Sequence, residues 1–93
     1  MKRIYIEDVE RRGKSAVEAA PLFLDAMRKL DRENEVQLIV PGFWSWTELP
    51  KQVIQFNMLE LARSLVVEFG RNYIFKCHYD QDRRELSIIA RHY

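Results

Sequence analysis

Apolar residues along this chain recur every second position in some stretches and every three to four in others, and each change of period marks an element. From Lys2 to Val9 the alternation puts Ile4 and Ile6 on one face and Arg3, Tyr5 and Glu7 on the other, which predicts a first strand. The polar stretch Glu10 to Lys14, with Gly13 inside it, reads as a connection. Ser15 and Glu18 then have the spacing of a capping box, in which hydroxyl and carboxylate each satisfy a free backbone N–H. Ala16, Ala19, Ala20, Phe23, Met27 and Leu30 keep the spacing of a single helical stripe. Pro21 interrupts it, since proline removes one helical hydrogen bond and crowds the preceding turn. The pattern therefore predicts a helix kinked near Pro21, or a short turn followed by a helix with Pro21 in its first turn.

Glu35 to Val40 alternates again, Val36, Leu38 and Val40 against Gln37 and Ile39, and Pro41 and Gly42 end this second strand. Phe43, Trp44, Ser45 and Trp46 fill the connection that follows. Thr47 is positioned as an N-cap with Pro50 in the first turn of a second helix, which runs to about Phe69 and closes at Gly70 in the left-handed conformation. Its buried stripe is Ile54, Met58, Leu61, Ala62, Leu65 and Phe69. Val53, Phe56 and Val67 fall on the opposite side, where an ordinary surface helix carries polar groups. Tyr73 to Tyr79 and Glu85 to Tyr93 form a hairpin around Asp82 and Arg83, with Tyr79 facing Leu86, Cys77 facing Ile88 and Phe75 facing Ala90.

The order β-α-β-α-β-β predicts a two-layer α+β sandwich, a four-stranded mixed sheet with both helices on one face and a right-handed crossover between the parallel strands. The other face is expected to be open and to hold Arg3, Tyr5, Gln37, Ile39, Ile74, Lys76, His78, Ile89, Arg91 and Tyr93. At 93 residues the chain suits one domain with one core, and 47% apolar and 12% aromatic residues belong to a folded protein.

Fifteen basic and fourteen acidic residues leave a formal charge of +1, too little for a general nucleic-acid coat. No apolar run approaches the roughly 20 residues that span a bilayer, and the start MKRIYIEDVERR lacks the apolar stretch of a signal peptide. With Cys77 as its one cysteine the chain makes no internal disulfide, which places it in a reducing compartment, the cytoplasm.

Between the first strand and the first helix lie Arg11, Arg12, Gly13 and Lys14. On those residues and on element order the chain resembles the archaeal chromatin protein family Alba, and by order alone the C-terminal domain of bacterial translation initiation factor three. That resemblance implies nucleic-acid binding by Arg11, Arg12 and Lys14 together with Lys76, Arg83, Arg84 and Arg91 of the terminal hairpin. The element order is also similar to that of small sulfur-carrier proteins, but their Cys-Pro pair at the first helix is missing and their activity is not implied.

No set of residues composes a catalytic site. Gly13, Lys14 and Ser15 imitate the end of a phosphate-binding loop, but the position of its first glycine holds Asp8. Cys77 and His78 are neighbours in a strand and point to opposite faces, so they share no proton. Cys77 reads as a small buried hydrophobe, and His78 with Asp80 and Glu85 as solvated residues at a hairpin end rather than metal ligands. The chain is expected to be non-enzymatic, without metal or cofactor.

Phe43, Trp44 and Trp46 carry the most information. Three aromatics in four positions of a short connection either fold down as a lid over the core or present at least one exposed indole to a partner, continued by Val53 and Phe56. The favoured expectation is a small interaction module that binds a protein partner through Phe43, Trp44, Trp46, Val53 and Phe56; the alternative is the nucleic-acid-binding domain described above. Apolar Val53, Phe56 and Val67 outside the core, with Ile74, Ile89 and Tyr93 on the open sheet face, further predict a homodimer.

Overall fold

The computed structural model describes residues 2–6, 16–30, 34–43 and 46–93, with residues 16–18 described by their backbone alone. Its elements are β1 (Lys2–Tyr5), α1 (Ala16–Arg28), β2 (Glu35–Val40), α2 (Lys51–Phe69), β3 (Tyr73–Asp80) and β4 (Glu85–His92). They form one mixed sheet in the order β1-β2-β4-β3, with β1 parallel to β2 and the remaining pairs antiparallel.

Register follows from the alternation. Val36, Leu38 and Val40 of β2 sit opposite Ala90, Ile88 and Leu86 of β4, and these in turn sit opposite Phe75, Cys77 and Tyr79 of β3. Slipping any strand by one residue would turn its apolar set to the other face, so burial selects this pairing. Ile4 joins the same face beside Leu38. Ala19, Ala20, Phe23 and Met27 of α1 and Ile54, Leu61 and Leu65 of α2 close over it as one core.

Pro21 lies inside α1, which runs through it. The cost is one missing hydrogen bond near the N-terminal end, on the exposed side, while the apolar stripe continues unbroken beneath. The Ser15 and Glu18 capping box lies outside the described residues, as does any extension of β1 toward Val9. Ile6 still donates to the Ile39 carbonyl at 2.7 Å, one residue past the strand.

Both ends of α2 depart from expectation. Pro50, not Thr47, occupies the N-cap and makes no side-chain cap; its carbonyl accepts from Val53 and Ile54 at 3.0 Å each. Thr47 is drawn away by Tyr79, whose hydroxyl lies 2.9 Å from its own. At the other end Gly70 is right-handed, with φ −65°. Glycine is needed there for room: a Cβ would stand 2.5 Å from the Val66 carbonyl oxygen.

The second sheet face is not open throughout. Tyr5, Ile39, Ser87 and His78 form one row across the four strands, and its two middle members, Ile39 and Ser87, are buried. Tyr5, Ile74 and His78, on the edge strands, are exposed. Arg28 of α1 pins the helices to each other, its Nε and Nη2 donating to the two carboxylate oxygens of Glu68 at 2.9 Å. This pair raises the Arg28 pKa chiefly through the hydrogen bonds to Glu68.

Candidate functional surfaces

The connection between β2 and α2 begins with a turn that needs glycine. Pro41 precedes Gly42, whose φ of 63° is left-handed, as the third residue of a Pro-Gly turn requires. The chain is thereby redirected over the end of the sheet, and Phe43 N–H donates to the Arg84 carbonyl at 2.6 Å. Phe43 and Trp46 are 0% and 1% exposed. Their rings meet edge to face at 5.1 Å, and each contacts Tyr79, at 6.1 and 5.6 Å. The Tyr79 hydroxyl donates to the Phe43 carbonyl at 2.7 Å, so the polar tip of this buried ring is satisfied.

Phe43 and Trp46 are therefore a lid, and the expectation that they contact a partner is corrected for both. Their apolar area is already removed from water by Tyr79 and the core, and neither presents a surface. Trp44 lies outside the described residues. The signal for the lid was present in Tyr79, a core-side residue at the end of a strand that needs a partner for its hydroxyl when buried.

Val53 and Phe56 lie where the helical period put them, outside the core, with Phe56 60% exposed. Two residues not expected on this face join them: Leu59 is 70% exposed, and Val66 is exposed beside Val67, itself 83% exposed. At 100° per residue Phe56, Leu59, Val66 and Val67 share the side of α2 directed away from Leu61 and Leu65. Leu59 and Val66 are seven residues apart, and that repeat was legible in the sequence. Phe56, Leu59, Glu60 and Arg63 line a shallow depression of about 320 Å³ on this face. Glu60 and Arg63 form a loose ion pair across it at 3.6 Å.

The basic residues are dispersed. Arg11, Arg12 and Lys14 lie outside the described residues. Lys76 and Arg91 are exposed on the second sheet face, two residue pairs apart along the β3–β4 ladder, and Arg3 shares that face from β1. Arg83 is exposed at the hairpin turn, whereas Arg84 is half-buried with φ 55°. The turn is organised by Asp80, whose carboxylate accepts from the backbone N–H of Asp82 and Arg83 at 3.0 and 3.1 Å.

Cys77 packs against the core on the expected side but is half-buried where a buried residue was expected. Desolvation pushes its thiol up to about 11, so it is protonated and a poor nucleophile at neutral pH. His78 faces away from it. Among the described residues no three His, Cys, Asp or Glu side chains come together as a metal site, and no helix is long and apolar enough to cross a membrane. No protein family, curated protein or solved structure matches the chain.

Proposed function

We propose that this chain is a small non-catalytic interaction module that binds a protein partner through the outward face of α2. The observation that carries the reading is the exposure of Phe56, Leu59, Val66 and Val67 on one side of a single well-packed helix. Scattered apolar surface residues are ordinary, but four large ones on one side of a rigid element, bracketing the Glu60 and Arg63 pair, are what binding surfaces are made of. The strip is rigid because Ile54, Leu61 and Leu65 anchor its other side, so little conformational entropy is lost on binding. Phe56 supplies the large aromatic anchor around which binding energy concentrates.

Val67→Glu tests this. The residue is 83% exposed, so the fold should survive with stability changed by less than about 0.5 kcal/mol, while association through α2 is lost. Every protein association of the native chain, measured by sedimentation and by affinity capture from the host, would have to persist in the variant for the reading to fail.

A second reading is favoured by one observation: Arg3, Lys76 and Arg91 are exposed on the same sheet face as Tyr5, a basic surface with an aromatic residue in it. On this reading the chain is a nucleic-acid-binding domain of Alba-like topology. Elution from heparin separates the two, because phosphate contacts weaken steeply with salt and an apolar helix face does not.

A further inference from the structure

We infer that the occupant of the α2 face is a second copy of this chain, with the two α2 helices packed antiparallel about a two-fold axis that passes between Glu60 and Arg63. This rests on the reading of that face as a protein-binding surface and names its partner. Down the middle of the exposed side run Phe56, Glu60, Arg63 and Val67, in steps of four, three and four residues. Such spacing is the seam of two helices crossing at a shallow angle. The order along it is apolar, acidic, basic, apolar.

That order is self-complementary in one direction only. Centred between Glu60 and Arg63, an antiparallel copy brings its Val67 against Phe56 and its Arg63 against Glu60, and the two-fold axis repeats both contacts. A parallel copy would set Glu60 against Glu60 and Arg63 against Arg63, like charges in close contact. Antiparallel alignment also sets each helix end beside the oppositely signed end of the other. Leu59 and Val66 flank the seam on one side and Val53 on the other, so the charged centre is bordered by apolar contact. The depression among Phe56, Leu59, Glu60 and Arg63 lies opposite the turn of the second copy that carries its Arg63 and Val67. Glu60 and Arg63 are already neighbours within one helix at 3.6 Å, so pairing converts two isolated ion pairs into a ring of four alternating charges. In this register every exposed large apolar residue of α2 is covered or adjoins the seam.

The test is sedimentation equilibrium of the native chain and of charge variants up to high micromolar concentration. The native chain should show twice its monomer mass of 11.2 kDa. Glu60→Arg alone and Arg63→Glu alone each place four like charges at the centre and should weaken dimerisation at least tenfold. The double exchange, Glu60→Arg with Arg63→Glu, should restore it. Far-ultraviolet circular dichroism keeps the variants comparable, as Arg63 is exposed and Glu60 partly so.

A monomer at all concentrations overturns the inference. So does a dimer that Val67→Glu leaves intact, since its interface would lie elsewhere. A dimer lost in Val67→Glu but indifferent to the charge exchanges also overturns the antiparallel register, while the α2 surface itself stands. A monomer whose α2 face captures a different protein likewise removes the second copy and keeps the proposed function.

Discussion

Tyr79 shows how one residue organises the end of the core. Its ring packs on Phe43 and Trp46, and its hydroxyl joins the Phe43 carbonyl and the Thr47 hydroxyl, tying the connection before α2 to the end of β3. Removing only the hydroxyl leaves a buried carbonyl without its donor, so Tyr79→Phe should cost about 1 to 2 kcal/mol in chemical denaturation. Trp46→Ala empties a large volume that the neighbouring rings cannot refill and should cost about 3 to 5 kcal/mol, a substantial part of the stability of a domain this size. A Trp46→Ala protein that melts like the native one would show that the lid is dispensable. Cys77 is the other residue with a measurable signature. Its thiol titrates near 11 in the folded chain against an ordinary value of 9.0. Between those values the unfolded chain gives up its proton while the folded chain keeps it, so this group's contribution to stability declines as pH rises through that window. Cys77→Val should lack that part of the alkaline loss, seen by comparing urea midpoints of the two proteins at pH 8 and pH 10. The thiol should also label slowly at neutral pH.

At the scale of elements, the hairpin and α2 were legible to different depths. The pairing of Tyr79 with Leu86, Cys77 with Ile88 and Phe75 with Ala90 was readable because alternation has a period of two and burial on one face permits a single register. The turn was readable only as a location. What holds it is the Asp80 carboxylate bridging two backbone N–H groups, with Arg84 taking the left-handed conformation at its end. Asp80→Ala should cost about 1 kcal/mol, as loss of a capping carboxylate does elsewhere. The end of α2 was readable as glycine, but for another reason than its own. Gly70 is right-handed and is required by the approach of the Val66 carbonyl, so Gly70→Ala should destabilise even though its backbone angles suit any residue. A rise in midpoint for Gly70→Ala, as favourable helix propensity alone would produce, would contradict the crowding argument.

For the whole molecule, the β-α-β-α-β-β order, the face of each strand and the outward apolar residues Val53, Phe56 and Val67 were determined by the sequence alone, since each is a matter of local period and its phase. The four-stranded mixed sheet was legible as well, but its strand order, with β4 between β2 and β3, was decided by tertiary pairing, because period does not say which edge of the parallel pair the hairpin joins or by which of its strands. The fate of the aromatic connection belonged to tertiary structure as well. Phe43 and Trp46 have the composition of a binding loop, and they are a lid because Tyr79, 33 residues beyond Trp46 in sequence, offers them rings to pack on and a hydroxyl for the carbonyl they carry inside. Burial is a property of what else is near, and in a folded chain what is near is set by contacts distant in sequence.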